Sequence, residues 1–305
     1  MRERKASSRT VIIGLIAASV GFVAGGLIVS RMVSAQAQAK PGYGFAALAG
    51  QKVGQDVYGP YEVDRDWPKP LTSLPGHEKW TWGPVESVYA ESPNRVFILE
   101  RGELPNLKRP AEVPYPAVGP SISFPVAAVP WRNASVGPLR AGNPGTWIGK
   151  LGVDARWEHC VVVLDSAGNA IEDWTQWDKI LKRPHFVAVN PYDPEKHVWV
   201  VDDHSHVVYK FSNDGKRIVQ TIGTRDVKGA DGTHFNRPTF LAWLPDSTLF
   251  VADGYNGTRV AKFDKDGKFL LDWGQRGTVP NEKRAGYMNN VHGITVDPET
   301  RRVFV

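Results

Sequence analysis

The sequence predicts an all-β fold of the β-propeller type, and three observations carry that prediction. A motif recurs at intervals of 53 and 54 residues. Each copy reads as an apolar strand, a Pro/Asp turn and a β-rich strand, and the copies from His185 and Thr239 are each followed by an outer strand pair folded at a Gly-containing turn. Four short strands at a period of this size are the mark of blades that pack only on their neighbours.

The copies are "HFVAVNPYDPEKHVWVVDD" from His185, "TFLAWLPDSTLFVADG" from Thr239 and "HGITVDPETRRVFV" from His292. A further copy, "ESVYAESPNRVFILERG" from Glu86, aligns with Thr239–Gly254 without a gap and sets Arg101 opposite Gly254. The outer strands repeat as "VYKFSNDGKRIVQTIG", "VAKFDKDGKFLLDWG" and "VVVLDSAGNAIEDW". Trp174, Trp177, Trp199, Trp243 and Trp273 fall where blade packing, rather than a sugar-binding platform, accounts for them.

Taken in chain order, residues 1–39 form the first element. A cationic start precedes twenty residues without a charge, Val11 to Ser30, and then a small-residue run, Ser34 to Ala39. These are the parts of an export signal, yet the apolar run is long enough to span a bilayer, so a cleaved signal peptide and an uncleaved membrane anchor both remain open. Either places the folded part outside the cytoplasm, periplasmic, extracellular or anchored. The leader also holds four of the five net positive charges, which removes the electrostatic case for nucleic acid. Residues 40–79, rich in Gly, Pro and isolated aromatics, read as an extended arm.

The propeller is expected over residues 80–305, with a Pro-rich insertion at 102–159 that cannot be a central strand. Hydrophobic content of 42% and charge of 23% place it with ordinary globular chains rather than disordered ones. One cysteine, Cys160, excludes an internal disulfide framework; in the run Cys160–Leu164 it reads as a buried small hydrophobe. The last copy stops mid-strand at Val305, and an open stack of about four blades leaves sheet edges bare, so the expectation is an incomplete propeller. Phosphate-cradling glycine loops, Gly-x-Ser-x-Gly and a usable cysteine nucleophile are missing from the sequence.

In such a blade the start of strand one and the end of strand two share one rim. His185 and His292 occupy strand-one starts two units apart, with Thr239 between them. Two imidazoles would then face each other across the funnel mouth, and three neutral histidines with an open position make the ligand set of a catalytic zinc. Histidines that merely echo the repeat are the competing explanation. The strand-two ends carry Arg101 and Asp253-Gly254-Tyr255. Gly254 and Gly257 supply either positive φ or close backbone approach. They let the chain turn while the phenol points at whatever lies between the histidines. A phenol whose pKa falls beside a cation and a metal can act as acid or base. His204 and His206 alternate in Asp-Asp-His-Ser-His and read as structural.

The stretch "HFNRPTFLAWLPDSTLFVADGYNGTRVAKFDKDGKFLLDWG", with "RPHFVAV" before it and "NNVHGITV" after it, closely resembles the peptidylglycine α-amidating lyase family. That resemblance, running from about Val85 to Val305 apart from the insertion, implies a six-bladed NHL-type propeller with a catalytic zinc. It implies cleavage of a peptidyl-α-hydroxyglycine to a peptide amide and glyoxylate. Carried over by position, it implies His185 and His292 as zinc ligands, Tyr255 as the catalytic phenol and Arg101 as the active-site arginine. It also implies backbone carbonyls of Val88 and Val187 as ligands of a structural calcium. The expected partner is a peptide or small molecule with a hydroxyglycine-like end, met by a monomer, with membrane contact only through the N-terminus. Two readings from other classes stay beside it. One is a non-catalytic NHL-repeat propeller acting as an extracytoplasmic binding module. The other is a calcium-dependent lactonase-type propeller, which His185, Thr239 and His292 fit poorly.

Overall fold

A computed structural model of the chain describes residues 67–106, 112–114, 123–125, 156–278 and 282–305. The leader at 1–39 and most of the arm lie outside the described residues. The chain falls into two compact units: Arg65–Lys108 with Ala128–Val305, and Met1–Asp64 with Arg109–Ala127.

In the first unit, β1 (Trp80–Trp82) is followed by β2 (Val85–Ser92), β3 (Arg95–Glu100) and β4 (Glu103–Pro105), which pairs back on β1. The second unit contains the antiparallel pair β5 (Glu112–Pro114) and β6 (Ser123–Pro125). Back in the first unit, β7 (Val161–Leu164) and β8 (Ala170–Asp173) complete a four-stranded sheet in the order β2-β3-β7-β8. The long excursion therefore leaves between the second and third strands of that sheet.

Two more four-stranded sheets follow without interruption: β9 (Pro184–Val189), β10 (Val198–Asp202), β11 (Val207–Phe211) and β12 (Ile218–Ile222), then β13 (Pro238–Trp243), β14 (Leu249–Asp253), β15 (Arg259–Phe263) and β16 (Phe269–Trp273). A short parallel pair, β17 (Gln275–Arg276) with β18 (Tyr287–Met288), leads to an antiparallel pair, β19 (Thr295–Val296) with β20 (Val303–Phe304). Helical structure among the described residues amounts to single 3-10 turns such as Leu71–Ser73 and Thr175–Trp177, and none is long and apolar enough to cross a membrane.

Burial explains why the second strands are nearly continuous apolar runs. "VWVVD" in β10 and "LFVAD" in β14 are buried at every position. Their alternate side chains enter different cores, because each of these two sheets packs a neighbour on both faces. Val198 and Val200 join Phe97, Leu99, Trp174 and Phe211 between the first and second sheets. Trp199 and Val201 join Trp243, Leu249, Val251 and Phe263 between the second and third. Phe250 and Ala252 pack with Val260 and Val291, towards the pair begun by β19. Outer strands have one wet face, as the alternating burial of β8 and β12 records. Cys160 is fully buried and free, and burial pushes its thiol pKa far up.

The acid that ends each second strand has a shared structural task. Glu100 accepts the N–H of Gly83 at 2.8 Å, Asp202 those of Lys182 and Arg183 at 2.6 and 3.1 Å, and Asp253 that of Asn236 at 2.7 Å. In all three sheets this carboxylate fastens the loop that enters strand one. The outer turns are alike too. Gly267, at φ 80, closes a turn in which its N–H donates to Asp264 O at 3.0 Å, a backbone conformation open to glycine at little cost.

Candidate functional site

The repeat register holds at the rim. The backbone N–H of Arg101 donates to Pro84 O at 3.0 Å, that of Asp203 to Arg183 O at 3.2 Å, and that of Gly254 to Arg237 O at 3.3 Å. Arg101, Asp203 and Gly254 are therefore equivalent positions, as are Glu86, His185, Thr239 and His292. The first three follow the strand-two ends, and the others stand at or near strand-one starts.

Gly254 is needed for space rather than for positive φ. A Cβ built on it would lie 1.5 Å from Val291 O, so the backbone of the next unit passes directly over it. Gly257 is equally crowded, 2.1 Å from Asp253 O. This close passage carries His292, the residue after Val291, across to Tyr255. The Tyr255 hydroxyl lies 3.0 Å from His185 Nε2 and 2.9 Å from His292 Nε2. All three rings meet edge to face, with centroids 4.9 to 5.3 Å apart. Phe240 packs on both imidazoles.

His185 is almost wholly buried, and its Nδ1 donates to Thr239 O at 3.1 Å. That bond leaves the Nε2 lone pair aimed at the phenol. Burial, helped by Arg101 and His292 and opposed by Asp203, lowers its pKa to about 4. A neutral imidazole oriented by a carbonyl on its other nitrogen is the form in which histidine binds a metal.

Arginine surrounds the phenol. Arg237 Cζ lies 4.5 Å from the Tyr255 ring centroid and Arg183 Cζ 5.7 Å. Between them Asp203, fully buried, accepts from Arg237 Nη2 at 2.6 Å and approaches Arg183 Nε at 3.6 Å. Arg101 donates through Nε to Pro184 O at 3.3 Å and pairs with Glu86 at 2.8 Å, while its Nη2 is buried without a hydrogen-bond partner among the described residues. Three guanidinium groups thus outnumber two carboxylates around one phenol. Even so, the Tyr255 pKa is raised: burial first and then Asp203 outweigh Arg183 and Arg101. Ionising the phenol needs a further positive charge beside it.

The structure brings His185, His292 and Tyr255 into direct contact and sets Arg101 close by. Val88 and Val187 lie on the neighbouring strands β2 and β9, where the Ser87 hydroxyl accepts Val187 N–H at 3.2 Å and donates to Val187 O at 3.4 Å. The sequence reading passed over Arg183, Arg237, Asp203 and Glu86. The signal for the arginines was Arg-Pro written at 183 and again at 237, directly before each strand one. For Glu86 it was the alignment that put it opposite Thr239. His206 is structural: its Nδ1 accepts Arg237 N–H at 3.1 Å.

No family model matches the chain. A peptidyl-alpha-hydroxyglycine alpha-amidating lyase 1 of Drosophila melanogaster is 32% identical over 149 residues, covering 47% of this chain and 26% of that protein. Over this stretch the chain is similar to the amidating lyases. The lyase 2 of the same organism is 29% identical over 140 residues, covering 46% of the chain and 32% of that protein. The peptidylglycine alpha-amidating monooxygenase of Rattus norvegicus is 25% identical over 248 residues, covering 80% and 21%. The chain thus matches between about a fifth and a third of the length of these relatives. Among solved structures, virginiamycin B lyase of Staphylococcus aureus overlaps with a TM-score of 0.34 at 12% identity over 72% of this chain and 62% of that one. An auxiliary nutrient binding protein of Bacteroides ovatus overlaps at 0.40, with 11% identity over 72% and 55%.

Proposed function

We propose that this protein is an exported, zinc-dependent carbon–nitrogen lyase acting on a peptidyl-α-hydroxyglycine-like hemiaminal. The observation that carries the reading is the convergence of His185 Nε2 and His292 Nε2 on the Tyr255 hydroxyl at 3.0 and 2.9 Å, inside a ring of arginines. The similarity to the amidating lyases supports it.

The donor set fits zinc. Both imidazoles offer Nε2 to one point, and the buried one is neutral with its tautomer set by Thr239 O. When bound, zinc supplies Lewis acidity at a substrate hydroxyl oxygen and positive charge that favours the phenolate. Arg101, with its unpartnered Nη2, and Arg237 bind the substrate carboxylate and turn the hydroxyl towards Tyr255. Tyr255 oxygen takes the hydroxyl proton, the carbonyl forms as the C–N bond breaks, and the same proton passes to the departing nitrogen. The products are glyoxylate and an amide, with atoms and charge balanced and the phenolate restored.

Four further elements belong to the proposal. The full protein closes into six blades and works as a monomer. A calcium sits among the inner-strand carbonyls, with those of Val88 and Val187 among its ligands. The leader exports the protein or anchors it by its N-terminus. The substrate is a peptide or small molecule with a hydroxyglycine-like end. A binding module without catalysis gives no reason for two imidazoles and a phenol sharing one point.

The test is glyoxylate release from an α-hydroxyhippurate-type compound by the full-length protein with and without zinc. Zinc-dependent release is expected. A folded, zinc-loaded protein that releases none would leave this rim serving another chemistry.

A further inference from the structure

A second cluster of metal-ligating side chains lies away from the rim just described, where the chain leaves for and returns from the long excursion. Glu103, on β4, is fully buried, and each of its carboxylate oxygens faces a histidine: His77 Nδ1 lies 2.7 Å from one and His159 Nδ1 2.7 Å from the other. The two imidazoles meet edge to face with centroids 4.4 Å apart. Glu158 is half exposed, with one oxygen 3.6 Å from His77 Nε2. One ligand atom from each of these four residues lies within 4.8 Å of all the others.

The backbone holds three of the four firmly. Glu103 exchanges both backbone hydrogen bonds with Arg156, at 2.8 and 2.9 Å, which joins the start of the excursion to its end. His159, at φ 58, and Cys160 both donate their N–H to the buried Asp178 carboxylate, at 2.9 and 3.1 Å. His77 sits in a turn between Leu74 O and Trp80 N, just before β1. Arg156 lies over the Trp80 ring and donates to Gly76 O at 2.9 Å, with Glu158 4.0 Å away. A cavity of about 600 Å³, lined by Leu74, His77, Trp157, His159 and Asp178 among others, opens beside the cluster and gives an entry path.

We infer that His77, Glu103, Glu158 and His159 form a second, structural site for a zinc-type divalent cation. Two imidazoles and two carboxylates make a closed set of N and O ligands that suits a borderline cation, and the two carboxylate charges balance its charge in a buried place. A tetrahedral zinc at about 2.0–2.2 Å from each ligand sets its ligands roughly 3.3–3.6 Å apart. The two 2.7 Å contacts then open slightly and the half-exposed Glu158 moves in. The bound ion would fasten the segment ahead of β1, the outgoing strand β4 and the return before β7 to one another. The inference is independent of the lyase reading, since none of the four residues touches Tyr255, His185 or His292.

The test removes the rim ligands first. A full-length His185→Ala/His292→Ala protein, purified with zinc and dialysed against a mild chelator, is expected to keep about one zinc per chain. Adding His159→Ala should abolish it. Glu158→Gln, a surface-facing change that leaves the fold in place, should weaken zinc binding at least tenfold in competition with a chromogenic chelator. Cobalt in the rim-deleted protein should show visible absorption of a four-coordinate ion. A folded rim-deleted protein free of zinc, or Glu158→Gln and His77→Ala proteins that bind zinc as tightly as their parent, would overturn the assignment. In that case Glu103 serves as a hydrogen-bond acceptor for the two imidazoles and nothing more.

Discussion

His185 and His292 stand 107 residues apart in the chain, on units separated by a whole sheet, yet their rings meet with centroids 4.9 Å apart. Only the stacking of successive sheets achieves this, because neither residue contacts the other through its own strand. Removing either imidazole takes away one of the two zinc ligands found among the described residues. His185→Ala and His292→Ala are each expected to lower rim zinc occupancy by at least tenfold, read as metal per chain after dialysis. Zinc retained at this rim in the His185→Ala protein at the parent level would falsify the ligand assignment.

Tyr255→Phe keeps the ring that packs between the imidazoles and removes only the oxygen. Zinc content and substrate affinity should persist while turnover drops about 10²- to 10⁴-fold, the range for a lost general acid–base group. Steady-state kinetics together with metal analysis separate this outcome from loss of metal. Undiminished kcat would remove Tyr255 from the chemistry.

Arg101 holds Glu86 at 2.8 Å and leaves one guanidinium nitrogen unpartnered among the described residues. Arg101→Ala should raise KM for a carboxylate-bearing substrate by about ten- to a hundredfold, the weight of one charged hydrogen bond. An analogue whose carboxylate is replaced by an amide should be nearly indifferent to the change. Equal losses for both compounds would argue that Arg101 orders the rim instead of binding substrate.

Gly254 has no room for a methyl group, since its Cβ would meet Val291 O at 1.5 Å and Val291 C at 2.5 Å. Gly254→Ala must push the Val291 backbone away, breaking its hydrogen bond from Thr239 Oγ1 at 2.8 Å, and His292 moves with it. The expected cost is about 1–3 kcal/mol of stability, as for other overpacked sites. A fall in rim zinc affinity should accompany it. Thermal unfolding and zinc competition measure the two effects.

Tyr209, 3% exposed on β11, has its pKa raised to about 12 by burial and then by the Asp202 carboxylate. The unfolded chain ionises this phenol near pH 10, ahead of the folded protein. Its contribution to stability is therefore whole below pH 10 and lost as pH rises through about 12. Tyr209→Phe should flatten the alkaline limb by about 2–3 kcal/mol between those limits. The two proteins should show the same pH dependence near neutral pH, where the phenol is protonated in both the folded and the unfolded chain. Urea unfolding of both proteins between pH 8 and 12 tests this.

Strand positions were legible because the repeat writes them several times over: β9 and β10, then β13 and β14, fall on the two central copies. His185, His292 and Tyr255 were legible as rim positions for the same reason. Arg183, Arg237, Asp203 and Glu86 needed the geometry: Arg183 reaches the phenol from the neighbouring sheet and Arg237 folds over it from the loop before β13 of the same sheet, and nothing in a single copy marks either direction. His77, Glu103 and His159 were invisible for a different reason. They lie outside the repeating motif and come together only because Glu103 pairs with Arg156 across the excursion.

The acids that end the second strands, Glu100, Asp202 and Asp253, hold the backbone of the entering loop from inside the molecule. The residues just beyond them are spared that duty, and arginine, aspartate and glycine occupy the equivalent places at 101, 203 and 254. A fold that separates shape from recognition in this way can exchange what its mouth displays one blade at a time. New ligand preferences then become reachable through single substitutions that leave the loops where they are.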